Sequence, residues 1–186
     1  VESLRYASKM AAKVDSCCVQ DGYQLYHHCF IISEGGDWAV VQQGMQGRLA
    51  RRYHWLSEGV RSFVEAPHSG IASDRQERSV LDMTAEQSQD ARDASVDIVR
   101  DDPRSLRALA REARQLSIDA YLPCSEQMSI LVMPNQHVIP ELSPRTIEAL
   151  RLAYEFQPES YEELIAIHGV GSKAVRALAL VSELIY

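Results

Sequence analysis

The chain has 186 residues, of which 46% are hydrophobic and 24% are charged, and its formal net charge is −7 at pH 7. This length and composition fit an ordinary globular protein of one domain or two small ones. No apolar stretch is long enough to span a bilayer and no secretion signal opens the chain, so we expect a cytoplasmic protein without membrane contact. The net acidity weighs against a strongly basic nucleic-acid-binding surface.

The four cysteines indicate a reducing compartment. Cys17 and Cys18 are adjacent, while Cys29 and Cys124 stand alone, so no pair has the CxxC spacing. This argues against a zinc ribbon and against a disulfide scaffold. The cysteines are expected to act as small buried apolar groups in a cytoplasmic protein.

The first part of the chain predicts a helix followed by a β-hairpin. Residues 4–13 have the small apolar residues and spacing of a short helix. Residues 23–33 and 38–45 are rich in aromatic and β-branched side chains, which favours strands. The sequence Glu34-Gly35-Gly36-Asp37 between them predicts the hairpin turn.

A two-residue turn at Gly35 and Gly36 would set the register of this hairpin. His28 would then face Gln43 across the strands, and Cys29 would face Gln42 on the opposite side of the sheet. Each face would be apolar near the turn and polar at the open end, which indicates the mouth of a site.

Residues 47–62 combine arginines with aromatic side chains. The segment predicts either a further strand or an irregular basic stretch. Arginine beside aromatic rings suits phosphate contact and base stacking, so Arg51 and Arg52 are candidate DNA contacts. The alternative is a solvated strand edge whose arginines bind nothing.

Unusual polar residues concentrate within the first third of the chain and suggest a catalytic cleft. The residues with suitable chemistry are Asp15, Asp21, His28, Gln43 and His54. Carboxylates would hold Mg²⁺ or Mn²⁺ and a histidine would act as base. A helix, an aspartate and a polar-ended hairpin loosely resemble metal-dependent nucleases, although Gln42 and Gln43 stand where those enzymes usually have a lysine. The alternative is a buried polar network with every hydrogen bond satisfied.

The second half of the chain predicts mainly helices. Thr84 and Gln87 have the spacing of a capping box that opens a polar helix ending at Arg100. The other predicted elements are a helix over 104–116, a short buried strand over 128–133 and a helix from Ser143-Pro144 to Phe156.

The end of the chain carries the most specific short motif. Two apolar stretches with helical spacing flank the sequence HGVGSK at 168–173, and its glycines would end one helix and begin the next. The pattern resembles the helix-hairpin-helix motif of DNA-binding and DNA-repair proteins, with histidine where many relatives have proline. The resemblance implies that backbone amides hold a DNA phosphate without reading sequence. The residues that would do so are Gly169, Val170, Gly171, Ser172 and Lys173. The alternative is a tight turn without a ligand.

Several longer blocks resemble one family across residues 4–186. They include VDSCCVQDGYQLYHHCFI, WAVVQQGM and ARRYHWLSE. The chain is similar to domain-of-unknown-function family 763, a family of archaeal and bacterial proteins whose name brings no established activity. The resemblance implies that the chain is a fragment lacking an N-terminal portion and a C-terminal tail, and its ends at Val1 and Tyr186 suggest the same.

These observations together predict an α+β protein. Residues 1–83 would form an antiparallel β-hairpin or sheet with helices, and residues 84–186 a helical region ending in a helix-hairpin-helix at 160–186. The expected function is DNA binding in repair or processing. The alternatives are a metal-dependent nuclease or other phosphodiester enzyme, and a non-catalytic scaffold for protein interaction.

Overall fold

A computed structural model describes residues 1–77, 80–101, 108 and 142–185. It combines helices with antiparallel sheets, as the α+β prediction requires. The chain divides into two compact units, Val1–Asp90 and Ala91–Tyr186. The predicted helix over 104–116 and strand over 128–133 fall outside the described residues, apart from the single helical residue 108.

The first unit begins with a helix that is followed by two small antiparallel sheets. Strands β2 to β5 form one sheet in sequence order, and strands β1 and β6 pair separately. The bounds are α1 Glu2–Cys17, β1 Val19–Gln20, β2 Gln24–Ile32, β3 Trp38–Gln46, β4 Leu49–Leu56, β5 Gly70–Ser73 and β6 Leu81–Asp82. The predicted strands of the hairpin are confirmed, and the ambiguous segment over 47–62 contains a regular strand.

Helix α1 packs against β2 and β3 of the larger sheet. Its buried side chains include Met10 and Val14, and they meet a sheet face that carries the fully buried Val40 and Trp55. The helix continues four residues beyond the predicted end at Lys13 and therefore includes Asp15. Asp15 therefore lies within the helix and not in the loop after it, and its side chain is buried in the core.

The register of the β2–β3 hairpin differs by one residue from the predicted register. His28 pairs with Gln42, and Cys29 pairs with Val41. The amide of Ser33 donates to the carbonyl of Asp37 at 2.8 Å, which leaves three residues in the loop, with Gly36 at φ 93°. A three-residue loop of this kind shifts the pairing by one position, and a one-residue shift moves side chains to the other face.

The predicted capping box at Thr84 is wrong. The Thr84 hydroxyl donates to Asp82 Oδ1 at 2.6 Å and its amide donates to the same oxygen at 2.9 Å. A short 3₁₀ turn over Glu86–Ser88 precedes the helix, which begins at Gln89. Thr84 therefore completes a turn with Asp82, because the helix starts four residues later than the capping box requires.

The second unit contains four helices within its described residues. They are α2 Gln89–Arg100, α3 Pro144–Phe156, α4 Tyr161–Ala166 and α5 Ser172–Ile185. The prediction that Ser143 caps α3 is confirmed, since its hydroxyl accepts the amide of Thr146 at 3.2 Å. Ser160 caps α4 in the same way through the amide of Glu163.

The turn between α4 and α5 packs closely on α3. Gly169 has φ 91°, and a Cβ atom built there would lie 3.0 Å from Ala149 Cβ. Gly171 has no such restriction, because its nearest neighbour would be the Gly169 carbonyl oxygen at 3.9 Å. Of the two glycines in this turn, only Gly169 has a backbone conformation that other residues rarely adopt.

We predict that Gly169→Ala destabilises the second unit whereas Gly171→Ala does not. A methyl group at Gly169 adds both backbone strain and a tight contact with Ala149, at a combined cost of about 1–3 kcal/mol. Thermal unfolding followed by circular dichroism measures the difference. Equal melting temperatures for the two variants would contradict the close packing of this turn.

Candidate functional site

A buried carboxylate, Asp15, is the centre of the polar structure in the first unit. Its side chain is 1% exposed and forms hydrogen bonds with β3, β4 and the loop before β5. The Oδ2 atom accepts from Gln42 Nε2 at 2.5 Å and from Trp55 Nε1 at 3.0 Å. The Oδ1 atom lies 2.5 Å from His68 Nε2. Both oxygens are therefore committed to protein partners.

Burial raises the pKa of Asp15 above its ordinary value, against the lowering effect of the bonds from His68, Trp55 and Gln42. A buried carboxylate loses the hydration that stabilises its charge, so the neutral acid is favoured. With a proton on Oδ1, Asp15 can donate to His68 while Oδ2 still accepts from Trp55 and Gln42.

The amide of Gln42 links Asp15 to an exposed histidine. Gln42 is fully buried, and its Nε2 atom also donates to the carbonyl of Ala11 at 3.0 Å. Its Oε1 atom lies 2.9 Å from His28 Nδ1. The His28 Nε2 atom lies 2.9 Å from the Ser8 hydroxyl. A continuous chain of hydrogen bonds thus runs from the core to the surface.

A second carboxylate, Asp21, is held by a separate group of donors. Its Oδ2 atom accepts from Arg51 Nη1 at 2.6 Å and from the Tyr53 hydroxyl at 2.5 Å. The Oδ1 atom accepts the amide of Tyr23 at 2.9 Å, and the ring of Tyr23 lies under the Arg51 guanidinium at 4.3 Å. Burial and the hydrogen bond to Asp21 raise the pKa of Tyr53, so this phenol stays protonated.

The structure does not bring all five predicted catalytic residues together. His28 and Asp15 are connected through Gln42, whereas Asp21 belongs to the second group. Gln43 pairs with His27 and Arg52, and His54 pairs with Val41, which places both on the opposite face of the sheet. The hairpin register explains why Gln42, and not Gln43, lies on the same face of the sheet as His28.

Three residues that the sequence did not single out belong to the Asp15 group: Ser8, Trp55 and His68. Ser8 and Asp15 are seven residues apart, which is two helical turns, so a helix extended to Cys17 places them on one face. Trp55 lies on the same face of β4 as Arg51 and Tyr53, because every second residue of a strand points the same way. The strand pattern could therefore have predicted its inward direction. His68 comes from the loop before β5, and no sequence pattern marks its contact with Asp15.

The described residues contain no group of three or more His, Cys, Asp or Glu side chains arranged to hold a metal ion. All four carboxyl oxygens of Asp15 and Asp21 are hydrogen-bonded to protein groups. The arrangement gives little room for Mg²⁺ or Mn²⁺, which require free oxygen ligands. Metal-dependent phosphodiester cleavage by these residues remains an untested prediction.

The predicted DNA contacts are distributed over both units. Arg51 is 8% exposed and is committed to Asp21, while Arg52 is exposed on the other face of the sheet. In the turn before α5, Gly169, Ser172 and Lys173 are exposed.

The turn contains donors without a protein acceptor. Val170 is buried and its amide donates to the carbonyl of Ile167. Among the described residues, the amides of Gly169 and Gly171 have no protein acceptor. These two amides are available to a ligand, whereas Val170 holds the turn in place.

One comparison identifies the family. A family model described as "Protein of unknown function (DUF763)" matches residues 1–186. The chain belongs to this family. No curated protein and no solved structure matches it. Membership in DUF763 confirms the resemblance to this family and leaves the activity to be argued from the residues.

In this DUF763 protein, none of the described helices has the length and apolar character needed to cross a bilayer.

We predict that Asp15 makes the stability of the first unit decrease as the pH rises. A native pKa above the ordinary value of 3.8 means that the folded protein binds the proton more tightly than the unfolded chain does. This contribution to stability is fully present below about pH 3.8 and is lost as the pH rises through the native pKa of Asp15. Melting temperatures measured from acid to neutral pH should show this decrease.

Asp15→Asn tests the origin of the decrease, because asparagine reproduces the shape and hydrogen bonds of the neutral acid. This variant should lack the Asp15 component of the pH dependence. Asp37→Asn, a change of the same kind at an exposed loop residue, should retain it. A variant at Asp15 that follows the wild-type pH dependence would contradict the raised pKa.

Proposed function

We propose that the protein binds the phosphate backbone of DNA through the turn between α4 and α5, in a repair or processing role. The observation that carries the proposal is the pair of amides at Gly169, which is exposed, and Gly171, which is half-buried; neither amide has a protein acceptor within the part of the chain that the structure describes. Backbone amides at the start of a helix favour anions.

The geometry of helix α5 strengthens this anion-accepting character. The amide of Val175 donates to the carbonyl of Gly171 at 3.0 Å, so Gly171 occupies the capping position and the helix dipole begins there. The helix has 14 residues, and its aligned peptide dipoles give its N-terminal end a partial positive charge. Lys173 is exposed beside it and supplies a full cation.

The turn is also held rigidly, which reduces the entropy cost of binding. Val170 is 1% exposed and anchors the turn in the core of the second unit. Gly169 lies so close to Ala149 that a side chain would not fit without displacement. A phosphate group would therefore meet donors that are already in position.

The proposed contact recognises phosphate and not base sequence. It is a single small site in a protein with a net charge of −7. Few counterions would be released, so binding to a short duplex should be weak and sensitive to salt. The buried, ion-paired Arg51 does not contribute to this surface.

We predict that Lys173→Glu weakens binding to a short duplex of random sequence by about tenfold in 0.1 M salt. Charge reversal removes one phosphate contact and adds repulsion at the helix N-terminus. Fluorescence anisotropy with a labelled duplex, repeated at several salt concentrations, measures both the affinity and the salt dependence. The slope of log affinity against log salt concentration should become shallower by about the contribution of one phosphate contact.

Arg145→Glu is the matched control. Arg145 is an exposed cation in the first turn of α3, in the same unit, and its reversal changes the net charge equally. This variant should bind almost as well as the original chain. Equal losses for the two variants would show that only net charge matters, and unchanged binding in Lys173→Glu would remove the proposal.

A further inference from the structure

We propose that Ser8, His28 and Gln42 form a catalytic group in which Ser8 is a nucleophile toward acyl esters or thioesters. The Ser8 hydroxyl lies 2.9 Å from His28 Nε2, and His28 Nδ1 lies 2.9 Å from Gln42 Oε1. This is the order of nucleophile, base and orienting group that serine and cysteine hydrolases share. The site is distinct from the turn proposed to bind DNA.

The orientation of the Gln42 amide is fixed by its buried partners. Its nitrogen donates to the carbonyl of Ala11 at 3.0 Å and to Asp15 Oδ2 at 2.5 Å. Reversing the amide would place its oxygen against two other oxygens and remove both of these hydrogen bonds, which is costly at a residue with no exposure. The Gln42 oxygen therefore faces His28.

The fixed amide determines the tautomer of His28. An amide oxygen can only accept, so the Nδ1 atom of His28 must carry the proton that it donates to Gln42 Oε1. In the neutral ring the Nε2 atom then has a free lone pair. The Ser8 hydroxyl consequently donates to Nε2, which is the arrangement a general base needs to remove that proton.

The supports of the group are rigid and its reactive end is accessible. Ser8 lies on helix α1, and His28 and Gln42 are cross-strand partners on β2 and β3. Asp15 lies on the same face of α1 as Ser8, and its hydrogen bond with Gln42 holds the buried end of the hydrogen-bond network. His28 is exposed and Ser8 is half-buried, so a substrate can approach the hydroxyl from solvent.

The reaction balances without a cofactor. Ser8 Oγ bonds to the carbonyl carbon while its proton moves to His28 Nε2. The bond to the alcohol or thiol leaving group then breaks, and that group takes the proton from His28. Water attacks the acyl-serine with His28 again accepting a proton, and the products are a carboxylic acid and the original serine.

A fluorophosphonate probe tests the proposal directly, because it reports nucleophile activation whatever the natural acyl group is. Attack by Ser8 breaks the P–F bond, releases fluoride and leaves a phosphonylated serine that peptide mass spectrometry locates. We expect modification at Ser8, and we expect His28→Ala to slow it by about 100-fold, the lower range for loss of a general base. Ser8→Ala should remove the modification from that peptide.

Two neighbouring residues provide controls. His27→Ala removes the adjacent histidine, which pairs with Gln43 on the other face of the sheet, and should leave the labelling rate unchanged. Ser3→Ala removes an exposed serine of the same helix and should also have no effect. Absence of label at Ser8, or labelling at the same rate in His28→Ala and His27→Ala, would overturn the proposal. Circular dichroism confirms that the variants, all changed at exposed or half-buried positions, are folded.

Discussion

The first unit depends on how a buried carboxyl group is satisfied. Asp15 lies on the inner face of α1, where an unpaired charge would cost more free energy than a small unit could lose. Hydrogen-bonding side chains from β3, β4 and the loop before β5 converge on it. Each of these elements is positioned by a hydrogen bond to the same side chain, so the packing of the helix on the sheet and the path of the loop are coupled.

This constraint also determines which chemistry the polar residues can support. Carboxylates whose oxygens are all occupied by protein donors are poor metal ligands. The same hydrogen bonds orient Gln42, and through it His28, so the network reaches the surface at the His28 ring next to the Ser8 hydroxyl. The buried part of the cluster is structural, and its exposed end is where reactivity is possible on geometric grounds.

The second unit presents polar groups in a different way. There the donors without a protein acceptor are the backbone amides of Gly169 and Gly171. Gly171 caps α5, so its amide has no preceding helical turn to bond to, and Gly169 lies in the turn before that cap. Burial of Val170 and the close approach of Gly169 to Ala149 hold these amides at the surface. Side-chain packing therefore positions the proposed phosphate site, whose chemistry is that of the main chain and one lysine.

The sequence by itself determined the elements whose signals are local. Helical spacing, capping serines and a glycine-containing turn marked α3, α4, α5 and the β2–β3 hairpin, because each depends on residues within a few positions of one another. The tertiary structure alone decided the hairpin register. The Ser33–Asp37 hydrogen bond closes a loop of three residues instead of two, and this places Gln42 instead of Gln43 opposite His28. It also decided that Asp15 meets His68, 53 residues away in sequence. Such contacts follow from how a helix packs on a sheet, and no local pattern of residues encodes that packing.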